Sequence, residues 1–243
     1  MKKILLSAIL ITCFTACDTA QQIINQAATV YQQSGAVGLS SEEIANGLKE
    51  ALTVGTQNGT GRLSSIDGFF ANAALKILMP PEAVKVENTL RDFGMGSVVD
   101  KAVLSMNRAA EDAAKSAAPI FVSAIKQMTI TDAVNILKGG NNAATNYFKD
   151  KTTAALTAAF RPSVEKSLSK VNATKYWKDV FSTYNRFSSN PVNTDLTAYV
   201  TNKAIAGIFT EVASEELKIR QNPEARVSDL LKKVFGSAMA QGK

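Results

Sequence analysis

Apolar residues recur along this chain at the spacing of helices and not of strands. Ile44, Leu48, Ala51 and Leu52, for example, fall on one face of a helix. No run of β-branched residues alternates with polar residues, as the strands of a half-buried sheet require. Because apolar residues make up 46% of the 243 residues, such helices can bury a sizeable core. We therefore predict an all-α fold.

Caps and breakers divide residues 40–236 into separate predicted helices. Ser40 with Glu43, and Thr129 with Asp132, have the spacing of a capping box at a helix start. Glycine and proline mark most other boundaries, because neither residue favours a helix interior. The predicted boundaries are an end at Asn58-Gly59-Thr60-Gly61, a start at Pro80-Pro81, a cap at Ser97 for a segment that reaches Ala118, an end at Gly139-Gly140, a closure at Arg161-Pro162 and an end at Asn222-Pro223. This pattern predicts an irregular multi-helix bundle.

The stretch that follows Asp195 is apolar on nearly all sides. A helix of this kind is buried, so we expect residues 196–213 to lie at the centre of the bundle. No linker interrupts residues 40–236, which indicates a single domain. Residues 18–39 are rich in Gln and Ala and form either a tether or a first helix packed on the domain. Residues 237–243 are predicted to be a flexible tail.

The first 17 residues have the pattern of a bacterial lipoprotein signal peptide. Lys2 and Lys3 precede an apolar stretch that ends at residues 14–17, Phe-Thr-Ala-Cys. The stretch is too short to span about 30 Å of hydrocarbon. We predict that residues 1–17 direct export and that Cys17 carries a diacylglycerol. The domain would then lie outside the cytoplasm, in the bacterial cell envelope, anchored to a membrane. The alternative is an ordinary secreted protein in which Cys17 is a free thiol.

Two residue types that often carry catalysis are missing from the domain. The chain contains no histidine, and its two cysteines, Cys13 and Cys17, lie in the predicted signal peptide. A His-based general base, a Ser-His-Asp triad, a Cys-His dyad and a zinc site with His or Cys ligands are therefore excluded from the domain. A disulfide scaffold is excluded for the same reason. We predict no metal ion and no cofactor.

The net charge does not indicate a nucleic-acid partner. The formal charge of +6 falls to +4 when Lys2 and Lys3 leave with the signal peptide, and the other basic residues are scattered. Proteins that follow a phosphate backbone usually carry a clustered basic face. We therefore expect contact with a membrane through the lipid on Cys17, and a small-molecule or protein partner in the envelope.

Arg108 and Glu111 lie opposite an apolar stripe of the predicted helix 97–118. Val99 and Met106 belong to this stripe. The spacing alone favours a solvated ion pair three residues apart, worth under about 1 kcal/mol. In the alternative, the pair is buried in a polar network, and removing Glu111 would cost about 3–5 kcal/mol.

Carboxylates are the only strong acid–base candidates left for catalysis. The spacing of Asp132 from Thr129 favours a helix cap over a catalytic role. An enzyme built on this chain would use Glu111, Asp132, Tyr147 and Arg161, in a reaction that is hydrolytic.

Short stretches along the chain match a known pattern. They are residues 67–72, 106–111, 119–121, 127–129 with 132–133, 143–148, 160–162, 184–185, 195–196 with 199–200, and 222–226. Together they resemble a bacterial family that is described only as a domain of unknown function, family 4197. The resemblance runs from about Ser40 to Gly236 and implies a helical exported domain, with no assigned activity. Family members usually continue a helix where this chain has Asn58-Gly59-Thr60-Gly61.

The family motif at residues 107–111 is polar, and the resemblance therefore implies a partly buried network there. The residues that we assign to this network, or to a ligand-binding site, are Asn72, Asn107, Arg108, Glu111, Asp132, Thr145, Tyr147 and Arg161. Four of these residues are assigned as partners of the Arg108–Glu111 pair by residue type alone: Asn72, Thr145, Tyr147 and Arg161. The sequence does not decide whether this network is a ligand-binding site or a part of the core that specifies the fold.

The sequence is compatible with three functions. The first is a non-enzymatic, lipid-anchored helical domain that binds a small or amphipathic ligand or a protein partner. The second is a hydrolase that uses Glu, Asp, Tyr and Arg residues, and the third is a purely structural envelope protein. A pocket lined by Arg108, Glu111 and Tyr147 would favour the first two, whereas a solid core would favour the third.

Overall fold

Turns connect a series of helices in the computed structural model, which describes residues 39–186, 191, 193–237 and 240. No strand occurs among these residues, and the helices pack into one domain, so the predicted all-α fold is confirmed. The helices are α1 (Ser41–Ser64), α2 (Val84–Asp92), α3 (Gly96–Ala114), α4 (Ala117–Gln127), α5 (Ile130–Lys138), α6 (Ala143–Ser169), α7 (Ala173–Asn185), α8 (Leu196–Gln221) and α9 (Asp229–Phe235), with 3₁₀ turns at Pro81–Ala83 and Pro223–Ala225.

Helix α8 lies at the centre of the domain, where it packs against α1, α3 and α6. Val200, Ala204 and Ile208 are among its buried residues, and Lys203 and Thr210 lie on a narrow exposed stripe. The prediction of a buried central helix over residues 196–213 is therefore confirmed. The exposed stripe also explains why Lys203 and Thr210 occur in so apolar a segment.

Three phenylalanines join the helices of the core. The ring of Phe121 on α4 lies edge-on to Phe148 on α6, with centroids 5.1 Å apart, and to Phe209 on α8 at 6.2 Å. Edge-to-face pairs at these distances are attractive, because the positive edge of one ring meets the negative face of the other. These contacts fix the relative positions of three helices that are distant in sequence.

The predicted helix end at Asn58-Gly59-Thr60-Gly61 is wrong, because α1 continues to Ser64. Gly59 is buried against α8, where a Cβ atom would lie 3.2 Å from Cγ of Glu211. The hydroxyl of Thr60 donates to the carbonyl of Thr56 inside the helix. The missing side chain at Gly59 thus lets two helices approach closely and does not terminate one of them.

The predicted closure at Arg161-Pro162 is also wrong, because α6 runs through Pro162. A proline cannot donate to the carbonyl four residues before it, but Ala158 is exposed, so water can satisfy that oxygen. Phe160 and Val164 are completely buried on either side of the proline. Packing on both sides therefore keeps one continuous helix.

The start of α3 differs from the prediction as well. Met95, and not Ser97, is its N-cap residue, and no side chain caps the helix. Helix α3 ends at Ala114, and α4 begins at Ala117. Pro119 therefore lies in the first turn of α4, where its missing N–H leaves no helical hydrogen bond unmade.

The capping box at α5 is confirmed. The hydroxyl of Thr129 accepts from the backbone N–H of Asp132 at 3.1 Å, and the Asp132 carboxylate accepts from the backbone N–H of Thr129 at 3.0 Å. Two N–H groups at the helix start are thereby satisfied by side chains.

Among the described residues, no single helix is long and apolar enough to cross a membrane. The segment Gly96–Gln127 together with Ile130–Lys138 meets the criterion by length and composition, with a bend of 106° between its parts. The predicted signal peptide, Cys17 and the predicted tether up to residue 38 lie outside the described residues, as does most of the predicted tail at 237–243.

Candidate functional site

Glu111 of α3 holds the turn that follows α1. The residue is 4% exposed, and its Oε1 accepts hydrogen bonds from the backbone N–H groups of Phe69 at 3.1 Å and Phe70 at 3.2 Å. The same turn contains Asp67 in a left-handed conformation, with φ of 68°. One carboxylate therefore satisfies two backbone donors of a turn that makes no helix of its own.

Arg108 joins Glu111 to the same turn from the solvent side. Its Nη1 donates to Oε2 of Glu111 at 2.6 Å, and its Nη2 donates to Oδ1 of Asp67 at 2.7 Å. The side chains of Arg108 and Asp67 are 37% and 49% exposed, whereas that of Glu111 is 5% exposed. The ion pair is therefore neither fully buried nor freely solvated, because only its acid is buried.

Asn107 anchors the segment that leads away from this turn. Its Oδ1 accepts from the N–H of Ile77 at 2.9 Å, and its Nδ2 donates to the carbonyl oxygens of Ile77 and Val103, both at 2.8 Å. Asn107 is completely buried. The polar motif on α3 thus supplies hydrogen-bond acceptors to the backbone N–H groups of Phe69, Phe70 and Ile77.

The turn held by Glu111 also places Phe69 against the central helix. Phe69 is completely buried and lies on Gly207 of α8, where a Cβ atom would come within 2.5 Å of Cε1 of the ring. Neither Arg108 nor Glu111 lines either of the two cavities described below. The contacts of this motif are those of a group that positions the chain.

A second buried carboxylate, Glu216 of α8, accepts hydrogen bonds from the start of α6. Its Oε1 binds the backbone N–H of Ala144 at 3.0 Å, and its Oε2 binds the N–H and hydroxyl of Thr145 at 2.9 and 2.8 Å. Arg220 donates to Glu216 at 3.0 Å and to the carbonyl of Ile136 at 2.7 Å. Because the side chains of Arg220 and Glu216 are 9% and 4% exposed, this ion pair is buried.

An apolar cavity of about 510 Å³ lies between α2, α3 and α7. Its lining is almost entirely aliphatic and aromatic: Met79, Val86, Leu90, Val98, Lys101, Ala102, Leu104, Ser105, Met106, Val171, Ala173, Tyr176, Trp177, Phe181 and Leu196. Its volume falls within the range of about 300–1,000 Å³ that is usual for small-molecule sites. The wall formed by α2 is thin, since no residue of this helix is buried.

Few polar groups reach this apolar cavity. Lys101 is the one charged residue among the described residues that line it, and Ser105 lies one turn further along α3. Tyr176 is 62% exposed, whereas Trp177 is 8% exposed and donates its indole N–H to the carbonyl of Asn193. A few polar groups beside an otherwise apolar lining are typical of sites that bind and orient an organic ligand.

A second cavity, of about 540 Å³, is more polar and contains two of the predicted site residues. Asp132, Tyr147 and Lys151 line it together with α4 residues. The hydrogen bonds from the backbone and hydroxyl of Thr129 lower the pKa of Asp132, so this carboxyl is ionised at neutral pH. Burial, with Asp132 nearby, raises the pKa of Tyr147. Because both pKa values move away from neutrality, Asp132 is a weaker base and Tyr147 a weaker acid than their unperturbed counterparts.

Residues 38–236 match the model of a family described as a protein of unknown function, DUF4197. The chain belongs to this family. The searches of curated proteins and of solved structures found no match. Membership in DUF4197 supports the predicted family over nearly the whole domain and assigns no activity to it.

The DUF4197 domain does not bring the other predicted residues to the Arg108–Glu111 pair. Asn72 accepts from the N–H of Ala74 within its own turn, and Thr145 binds Glu216. Arg161 pairs with Asp195, the N-cap of α8. Burial tends to raise the pKa of Asp195, but the hydrogen bonds from Arg161 and the Ala198 N–H lower it below its usual value. The residues of the predicted network therefore do not form one site.

Sequence reasoning missed two features of this DUF4197 domain. Glu216 and Arg220 lie four residues apart in the charged C-terminal part of α8, where Glu215 and Lys218 are equally prominent, so the sequence does not single out the buried pair. The apolar cavity had a weak sequence signal, because Tyr176, Trp177 and Phe181 are aromatic residues at helical spacing on α7. Their partners on α2 and α3 lie about 80 residues away along the chain, and no local pattern could join them.

Proposed function

We propose that this chain is a lipid-anchored binding protein of the bacterial cell envelope, which holds an apolar or amphipathic small molecule between α2, α3 and α7. The observation that carries the proposal is the cavity of about 510 Å³ with its apolar lining. A dry apolar cavity of about 150 Å³ accepts benzene, so this one scales to roughly 20 carbon atoms. A single acyl chain or a compound of similar bulk fits that volume.

The structural roles of two candidate carboxylates support binding over catalysis. Glu111 accepts backbone and guanidinium hydrogen bonds, and Asp132 accepts the hydrogen bonds of a helix cap. Neither lies in the apolar cavity. The proposed site is therefore distinct from the residues that the sequence favoured.

The apolar cavity contains a natural reporter, because Trp177 is the single tryptophan of the chain. We expect dodecanoate brominated along its chain to quench Trp177 emission in a saturable way, with a micromolar Kd, because bromine must contact the indole to quench it. Ala102→Phe places a ring in the cavity and should weaken binding at least about tenfold, which corresponds to about 1.4 kcal/mol.

The matched control is Ala154→Phe, which adds the same ring at an exposed position of α6 that does not line the cavity. This variant should bind like the wild type. Quenching that rises linearly without saturation, or that Ala102→Phe leaves unchanged, would rule out the cavity as the binding site. Thermal melts by circular dichroism establish that both variants fold.

The anchor is tested separately. In cells supplied with radiolabelled palmitate, the wild-type chain should become labelled and the Cys17→Ala variant should not, because the thiol of Cys17 is the proposed attachment point. Label that persists in Cys17→Ala would contradict the proposed lipid anchor, but it would not bear on the proposed ligand binding in the cavity.

A further inference from the structure

We infer that the cavity ligand is a single-chain amphiphile with an anionic head group, whose charge is met by Lys101. This inference rests on the proposed function and adds the chemistry of the ligand's polar end. The head is a carboxylate or a phosphate, since both present anionic oxygens to an ammonium group.

Lys101 is available for such a head group. It is the one charged residue among the described residues of the cavity lining, and its ammonium forms no ion pair with another described residue. The neighbouring acid, Asp100, is bound by Arg91 at 2.9 Å. Because Lys101 is exposed, its flexible side chain can follow a head group at the cavity mouth.

The lining of the cavity does not favour a ligand with a cationic head group. No aspartate or glutamate lines the cavity, so no described lining residue would favour a cationic head group. The hydroxyl of Tyr176 makes no hydrogen bond to another described residue and is an additional donor at this site. Among the described lining residues, an apolar surface with one unpaired cation and one unpaired phenol donor matches an acyl chain that ends in an anion.

The volume limits the ligand to one chain. About 510 Å³ corresponds to roughly 20 carbon atoms by comparison with benzene in a dry cavity. A diacyl lipid carries about twice that amount of hydrocarbon and would leave one chain in water, which disfavours it.

The test compares three brominated twelve-carbon probes by quenching of Trp177, each below its micelle concentration: the carboxylate, the alkyl phosphate and the neutral alcohol. We expect the wild type to bind at least one anionic probe about three- to tenfold more tightly than the alcohol, the effect of one partly exposed ion pair. Lys101→Met should abolish that preference without weakening the alcohol, and Lys101→Arg should retain it. The ratio between carboxylate and phosphate identifies which head group the site prefers.

Lys175→Met is the matched control, because Lys175 is an exposed lysine of α7 that does not line the cavity. It should keep the anionic preference. If all three probes bind equally, or if Lys101→Met leaves the preference intact, this inference is overturned and the proposed function stands. If no probe quenches Trp177, both fail. Mass that grows with concentration in light scattering, with no quenching by any probe, would instead identify a second copy of the chain as the occupant.

Discussion

Replacing Glu216 with alanine is expected to lower the free energy of unfolding by about 3–5 kcal/mol, the usual cost of leaving one member of a buried ion pair without its partner. The guanidinium of Arg220 would stay buried without its carboxylate. The N–H groups of Ala144 and Thr145 at the start of α6 would lose their acceptor at the same time. Urea denaturation, with the slope compared between proteins, measures this loss.

A glutamate-to-alanine change outside the buried pair provides the control. Glu165 is an exposed residue of α6, and Glu165→Ala should stay within about 0.5 kcal/mol of the wild type. Glu216→Gln keeps an oxygen for some of the same donors and should fall between the two. A Glu216→Ala protein as stable as Glu165→Ala would show that the buried pair does not stabilise the fold.

Replacing Glu111 with alanine is expected to cost about 2–4 kcal/mol, mainly because the backbone N–H groups of Phe69 and Phe70 lose their acceptor. The guanidinium of Arg108 contributes less to this loss than a buried arginine would. It is 37% exposed and keeps its bond to Asp67, so the change does not strand a buried charge. Urea denaturation again gives the value.

Two further variants separate the contribution of the turn to the free energy of unfolding from that of the ion pair. Glu111→Gln retains a carbonyl oxygen for both N–H groups and should cost under about 1.5 kcal/mol. Arg108→Ala leaves the buried carboxylate of Glu111 with its two N–H donors and should cost less than Glu111→Ala. Lys115→Ala, which removes an exposed pair with Asp112 on the same helix, should be nearly silent. If Arg108→Ala costs as much as Glu111→Ala, the ion pair and not the turn is the stabilising element.

Both carboxylates act in the same manner, although they lie in different parts of the domain. Glu111 of α3 accepts hydrogen bonds from backbone N–H groups of the turn after α1, and Glu216 of α8 accepts them from N–H groups at the start of α6. In each case a buried acid replaces backbone acceptors for a segment that is distant in sequence. The two carboxylates thus satisfy backbone N–H groups that folding would otherwise bury without a partner.

Much of the fold could be predicted from the sequence because it depends on neighbouring residues. Helical spacing predicted the all-α class, and the capping box at Thr129 and Asp132 predicted the start of α5. The apolar stretch over residues 196–213 predicted the central helix, because a segment without a polar face has to be buried. The structure places Asn107, Arg108 and Glu111 beside one turn, whereas the partners that were chosen by residue type bind elsewhere.

Contacts between distant segments decided the rest. Helix α1 continues through Gly59 and α6 through Pro162, because packing against the core outweighs local preferences of about 1–3 kcal/mol. The partner of Arg220 and the cavity beside Trp177 depend on helices brought together only by folding. Residue type and spacing describe one helix at a time, whereas a buried ion pair or a cavity is a property of the space between several.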